Sequence, residues 1–108
     1  MKLSDEFTFY VPSTRADQTV DLSLLEQRTA EILTIFVKHF GAATLIAGFG
    51  CWTSETGQII REPVNLVQSS SDDPSNLQFT LDLASEMLTA YSQEAIAVKH
   101  NQTLHIVE

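Results

Sequence analysis

The apolar spacing of this sequence switches between extended and helical periodicity along the chain, and this alternation constrains the fold more than any other feature. Phe7, Phe9 and Val11 share one side of an extended segment, and the segment that ends at Phe40 then carries its apolar residues at helical spacing. Two extended segments, a second amphipathic helix and two further extended segments follow. The order β-α-β-β-α-β plus a C-terminal strand predicts an α+β fold, and we expect a ferredoxin-like sandwich with two helices on one face of an antiparallel sheet.

The first helix has clear start and stop signals. Asp21 or Ser23 can cap it, and Ser23 with Glu26 fits a capping box, in which two side chains satisfy free backbone N–H groups reciprocally. Gly41 can end the helix, because glycine adopts the left-handed conformation without a steric penalty. The apolar stripe between these signals consists of Leu25, Thr29, Ile32, Leu33, Phe36 and Phe40.

Residues 44–52 and 58–68 indicate two strands that are joined by a hairpin loop at residues 53–57. Gly48 and Gly50 weaken the earlier strand, and they predict either a bulge or a close approach of another backbone. Residues 94–99 and 102–107 predict a terminal hairpin joined at His100-Asn101. The whole chain, residues 1–108, fits one domain.

The second helix is predicted to begin at Asp73-Pro74 and to be apolar over an unusually wide arc. Two neighbouring apolar lines together cover about 200° of its circumference, more than one sheet face usually needs. We therefore expect this helix to contact a second surface, with Phe79, Leu83 and Met87 as candidate interface residues of a homo-oligomer.

Charge excludes some classes of partner. Fourteen acidic and six basic residues give a net charge of −8, and the basic residues form no cluster. Nucleic acids and anionic membranes are therefore not expected as partners.

The sequence shows no signal peptide and no run of about 20 apolar residues. Its single cysteine, Cys51, excludes an intramolecular disulfide, so a cytoplasmic location is expected.

Glu62 is the most interesting candidate for chemistry, because period-two spacing places it on a strand face with apolar neighbours. A carboxyl that is partly buried in this way has a raised pKa and can transfer protons. Alternatively, Pro63 marks a bulge or an edge and turns Glu62 outward, or Arg61 or another cation pairs with it. Trp52 and Glu94 complete the candidate ligand-binding set. Trp52 is a residue type common at binding sites, although burial against the helices is the commoner fate. Glu94 begins a later strand, and nothing in the sequence places it beside Glu62.

Cysteine and histidine offer weaker candidates. Cys51 lacks a nearby base and is expected to be a small buried filler. His39, His100 and His105 have no spacing typical of a zinc site, and His100 and His105 are expected to face solvent. The Gly48-Phe49-Gly50 segment lacks the order of a phosphate-binding loop. No metal and no cofactor are predicted.

The segment from Gly50 to Glu62 resembles a family of small uncharacterised bacterial and phage proteins. Their shared outline is G-x-W-x(4)-G-x(4)-E, here carried by Gly50, Trp52, Gly57 and Glu62, followed by a helix and by Gln-Glu-Ala, here residues 93–95. The resemblance implies a compact α+β domain, and it brings no assigned activity or catalytic residue.

These observations leave several functions open. The favoured hypothesis is a non-enzymatic interaction or oligomerisation module, most simply a homodimer. The alternative is a small ligand-binding protein or enzyme with a pocket near Trp52 and Glu62. A third hypothesis is a regulator whose acidic surface binds a basic partner. The expected partner is thus a second copy of this chain, with an unidentified protein or small molecule as the alternative.

Overall fold

A computed structural model describes all residues, 1–108, and it contains one five-stranded sheet and two helices. The sheet order is β2-β3-β1-β4-β5, and every neighbouring pair is antiparallel. The predicted ferredoxin-like arrangement is confirmed, with β5 added beside β4. Neither helix combines the length and apolarity that crossing a membrane requires. The elements are β1 Asp5–Pro12, α1 Leu22–Phe40, β2 Thr44–Thr53, β3 Ile59–Ser71, α2 Asn76–Ala90, β4 Ile96–His100 and β5 Thr103–Val107.

The hydrophobic core lies between one face of the sheet and the two helices. β1 is the central strand, and its residues Phe7, Phe9 and Val11 are fully buried. Because the sheet is pleated, the same face receives the alternate residues of the neighbouring strands, such as Val67 of β3 and Val98 of β4. The helices cover this face with Leu25, Ile32, Phe36, Leu83, Ala84 and Met87.

The first helix begins and ends at two of the predicted residues. Asp21 is its N-cap, since an oxygen of its carboxylate accepts a 2.9 Å hydrogen bond from the N–H of Leu24. The capping box at Ser23 is therefore wrong, because the helix already begins at Leu22. Gly41 ends the helix at φ 92° and donates its N–H to the carbonyl of Val37.

The second helix is covered by the chain's own sheet. It begins at Asn76, after a turn in which Asp73 accepts from the N–H of Ser75, so the predicted start at Asp73-Pro74 is slightly early. Leu83 and Met87 are only 6% exposed, because α2 packs across β1, β4 and β5. They are core residues, and their assignment to an interface is wrong. Phe79 keeps some exposed surface and stacks on His39 with ring centroids 3.6 Å apart. Homo-oligomerisation itself stays a prediction.

The β2–β3 hairpin extends beyond the rest of the sheet. Its pairing runs without interruption from Thr44 opposite Gln68 to Thr53 opposite Ile59, so the bulge predicted at the glycines is absent. β1 pairs with β3 only as far as Pro12 opposite Val64. Residues 49–63 therefore form a two-stranded extension, called the arm below. No residue of the arm is fully buried, and the molecule measures 48 × 26 × 22 Å.

We expect truncation of the core residues of α2 to affect stability strongly. Leu83→Ala or Met87→Ala should lower the free energy of unfolding by about 2–5 kcal/mol, because each leaves a cavity in a packed core. Ser85→Ala on the exposed side of the same helix is the control and should have little effect. Urea denaturation measures the difference. A fully folded Met87→Ala protein of unchanged stability would contradict the core assignment.

Candidate functional site

The face of the sheet opposite the helices is uncovered, and the arm continues this open face. Strand register places Ile46, Gly48, Gly50 and Trp52 of β2 on the open face. The β3 residues directly opposite them are Leu66, Val64, Glu62 and Ile60. The predicted apolar neighbours of Glu62 are thus confirmed. A largely apolar open face is a surface that can accept a ligand or another chain.

Two glycines interrupt this surface. Gly48 and Gly50 lie between the exposed side chains of Ile46 and Trp52, so a stretch of bare backbone separates two large apolar groups. The gap is bordered on its β3 side by Glu62 and Val64, and we call it the slot. A Cβ atom at Gly50 would meet nothing within 4 Å, and one at Gly48 would meet only the Val64 carbonyl at 3.8 Å.

The backbone of the slot does not require glycine. Neither Gly48 nor Gly50 has a positive φ, whereas Gly57 in the turn of the arm has φ 84°. Glycine within a strand costs about 0.5–1 kcal/mol relative to alanine because it loses more backbone freedom on folding. The absence of side chains leaves room beside Glu62, and this room is the feature that a ligand can use.

Glu62 lies at the edge of the slot without a charged partner. The two ion pairs of the structure, Arg15–Asp21 and His100–Asp5, do not include it. Arg61 points to the other face of the arm, where its guanidinium lies 4.0 Å from the ring centroid of Phe49. Burial raises the pKa of Glu62 above its ordinary value. The structure thus gives a half-buried carboxyl beside open space.

Pro63 does not turn Glu62 out of the strand. β3 continues through Pro63 with Phe49 opposite it, so the first alternative interpretation of Glu62 is wrong. Proline is tolerated here because β1 has already ended at Pro12, and no neighbouring strand needs the missing N–H. The other alternative, pairing with Arg61 or another cation, is also wrong, because Arg61 lies over Phe49 on the other face and neither ion pair includes Glu62.

Trp52 offers an aromatic surface at one end of the slot. It lies directly opposite Ile60 and diagonally from Glu62, and 46% of its surface is exposed. Burial against the helices, the commoner fate for tryptophan, does not occur because Trp52 lies on the face of the sheet opposite the helices. Trp52 is also the single tryptophan of the chain.

Glu94 does not join this site. It precedes β4 in an exposed bend, whereas Glu62 lies on β3, and β1 separates the two strands. No hydrogen bond or ion pair connects Glu94 to the slot. Of the three predicted ligand-binding residues, the fold therefore brings together only Trp52 and Glu62.

The remaining candidates, the cysteine and the histidines, lie outside the slot. Cys51 is exposed on the opposite side of the arm, so its assignment as a buried filler is wrong; β2 is an edge strand that the helices leave uncovered there. His100 is half-buried rather than solvent-facing, because it contacts Asp5 at 2.8 Å and stacks on Phe7 with centroids 4.8 Å apart. No group of three or more histidine, cysteine or acidic side chains is arranged to hold a metal ion.

The sequence analysis missed the buried cation of the structure, Arg28. It lines a cleft of about 460 Å³ between α1, the loop after β1 and the end of α2. It is 5% exposed, and its guanidinium donates to three main-chain carbonyls. Its position was detectable, since Arg28 lies three residues after Leu25 and four before Ile32 on the buried stripe. Its donors are largely used by the chain itself, so the slot remains the better candidate site.

Comparison with known proteins identifies structural neighbours but no sequence family. The sequence matches no protein-family model and no curated protein. Two solved structures of a phage SAM lyase share the fold with a TM-score of 0.65. One is in complex with S-methyl-5'-thioadenosine, is 15% identical, and matches over 95% of this chain and 88% of the lyase. The other is the apo state, at 16% identity over 95% and 87% of the two chains.

These neighbours change the ranking of functions. The favoured hypothesis of a non-enzymatic interaction module is contradicted, because the phage SAM lyase that shares this fold over most of its length is an enzyme, and one of its structures is in complex with S-methyl-5'-thioadenosine. The neighbours favour the alternative of a ligand-binding protein or enzyme, and a site near Trp52 and Glu62 stays a prediction. The resemblance to small uncharacterised bacterial and phage proteins stays a prediction.

The raised pKa of Glu62 predicts a pH-dependent change in stability. A carboxyl whose pKa is higher in the folded than in the unfolded state stabilises the fold when it is protonated, and this contribution is lost as the pH rises through the folded pKa. Glu62→Gln should therefore be more stable than the wild type at neutral pH, and the difference should disappear in acid. Urea denaturation from pH 3 to pH 8 measures it.

The exposed Glu94 provides the matched control for this experiment, because Glu94→Gln removes the same charge outside the sheet. If both variants changed stability equally at every pH, the difference would reflect net charge rather than the burial of Glu62.

Proposed function

We propose that this chain binds a sulfur-containing adenine nucleoside, of the class of S-adenosylmethionine and S-methyl-5'-thioadenosine, in the slot beside Trp52 and Glu62. The observation that carries the proposal is the gap over Gly48 and Gly50 next to the exposed Trp52 ring. The likeness to a phage SAM lyase, one structure of which holds S-methyl-5'-thioadenosine, supplies the class of ligand.

The adenine ring fits the aromatic and backbone surfaces of the slot. Stacking of a base on an aromatic side chain contributes about 1–3 kcal/mol and needs an exposed ring face, which Trp52 provides. The bare backbone at Gly50 lets a flat group lie close to the strand. Side chains at these two positions would prevent such an approach.

Glu62 fits a ligand that carries positive charge. S-adenosylmethionine has a sulfonium cation, which a carboxylate attracts and which a tryptophan face also stabilises by cation–π interaction. Because Glu62 has no cation of its own, the ligand would supply the missing partner. Burial raises the pKa of Glu62 and makes its carboxylate a better proton acceptor than an ordinary glutamate, so catalysis on such a ligand would use the same residue.

Tryptophan fluorescence tests the proposal directly, since the single tryptophan reports only on the slot. Addition of S-methyl-5'-thioadenosine or S-adenosylmethionine should change the emission of Trp52 in a saturable way. Gly50→Val should weaken binding by about tenfold or more, because its side chain fills the slot while its Cβ contacts nothing in the protein. Valine also favours strands, so the fold should persist.

Calorimetry provides the controls. Trp52→Leu should weaken binding by about tenfold or more through the loss of stacking. Cys51→Val makes a similar change one residue away on the other face of β2, and it should bind as the wild type does. Chromatography of the mixture with S-adenosylmethionine detects turnover separately from binding. Equal affinity of the Gly50→Val and wild-type proteins would refute the slot as the site.

A further inference from the structure

A buried polar cluster joins α1 and the end of α2 to the loop after β1. Arg28 is at its centre, and its Nη1 donates to the carbonyls of Pro12 and Thr14, each at 2.9 Å. Its Nη2 donates to the carbonyl of Tyr91 at 3.1 Å, and its guanidinium carbon lies 4.7 Å from the Tyr91 ring centroid. No carboxylate pairs with this buried cation. Main-chain carbonyls accept from both of its terminal nitrogens, whereas its buried Nε has no hydrogen-bond partner.

Gln93 closes the same cluster from the segment that follows α2. Its Oε1 accepts from the hydroxyl of Thr14 at 3.1 Å, and its Nε2 donates to the carbonyls of Thr14 and Tyr91 at 2.9 and 3.0 Å. The Thr14 and Tyr91 carbonyls are thus each shared by Gln93 and Arg28. The Gln of the Gln-Glu-Ala segment therefore has a structural contact that the sequence alone did not reveal.

Ser13 connects the loop after β1 to the arm by a hydrogen bond. Ser13 is fully buried between Pro12 and Thr14, the two residues whose carbonyls Arg28 holds. Its hydroxyl donates to the carbonyl of Pro63 at 2.6 Å. Regular pairing of β1 with β3 ends at Pro12 opposite Val64, and Pro63 is the arm residue next to Val64. This bond therefore ties the loop after β1 to the base of the arm.

From this geometry we propose that Arg28, Gln93 and Ser13 are positioning residues that fix the base of the arm and thereby place Glu62 beside the slot. Glu62 precedes Pro63 directly, so movement of the Pro63 carbonyl moves the Glu62 backbone as well. The predicted effect on ligand affinity rests on the proposed function. The predicted effects on the Glu62 titration and on the arm are independent of the proposed function, and they can be measured without any ligand.

Ser13→Ala is the primary test, carried out on the full-length protein in the absence of ligand. We expect the amides of residues 59–62 and 64 to exchange with solvent about tenfold faster, because one buried hydrogen bond is lost. The titration of the Glu62 carboxyl, followed by NMR, should move toward that of a solvated glutamate. The amides of α1 should keep their protection.

Ser69→Ala is the matched control, since Ser69 is also a buried serine whose hydroxyl donates to a carbonyl at 2.6 Å, that of Ala42. Ser69 lies near the other end of β3, and removal of its hydroxyl should leave the titration of the Glu62 carboxyl unchanged. Arg28→Lys is a second test, because an ammonium group cannot hold three carbonyls in the fixed geometry of a guanidinium. Arg28→Lys should shift the titration of the Glu62 carboxyl in the same direction as Ser13→Ala does.

The outcomes separate this proposal from the proposed function. An unchanged titration of Glu62 in Ser13→Ala would overturn the positioning role, and so would faster exchange spread evenly over the whole chain. If wild-type protein binds S-methyl-5'-thioadenosine, Ser13→Ala should weaken binding by about three- to tenfold. If the wild type does not bind it while Ser13→Ala still alters Glu62 and the arm, the proposed function fails and the positioning role stands.

Discussion

The early end of β1 is the constraint on which the rest of this structure depends. β3 has 13 residues and β1 has eight, so the sheet cannot remain three strands wide along the whole of β3. Pro12 lacks an N–H and cannot continue the ladder, and Pro63 lacks the N–H that a continued β1 would require. The two prolines therefore meet at the point where the sheet narrows to the arm.

A two-stranded arm is only marginally stable by itself, because neither of its faces is covered. Three features of this chain support it. Ten consecutive residue pairs join β2 to β3, Arg61 covers the ring of Phe49, and the Ser13 hydroxyl secures the Pro63 carbonyl at the base. The open face of the arm is left without such support, which is why Trp52 and the slot remain accessible.

The sequence predicted the elements well because each was specified locally. Phe7, Phe9 and Val11 alternate with polar residues, and Asp21 and Gly41 are strong helix boundaries. The same reasoning failed where the answer depended on neighbouring elements. The apolar width of α2 indicated a second surface, yet Leu83 and Met87 are covered by β1, β4 and β5. Cys51 is exposed because no helix reaches the edge strand beside it.

The candidate site was predictable in part for the same reason. Period-two spacing placed Glu62 with Val64 and Leu66, and strand pairing then brought Trp52 and Gly50 to the same face. The exclusion of Glu94 required knowledge of the strand order, which a single sequence does not supply. Arg28 was visible on the buried stripe of α1, but its acceptors are main-chain carbonyls of distant segments. Every residue type has such a carbonyl, so the sequence does not indicate which ones accept.

The charge of the molecule is distributed in a way that favours the slot as a site for a cation or a neutral ligand. The arm contains two carboxylates, Glu55 and Glu62, and one guanidinium, Arg61, so it carries only −1 of the total −8. The remaining acidic residues lie outside the arm, and their negative charge attracts positive ligands to the molecule from a distance, although salt screens that attraction. Close to the strand, the unpaired Glu62 is the one carboxylate that borders the glycine gap, so long-range attraction and local recognition act toward the same place.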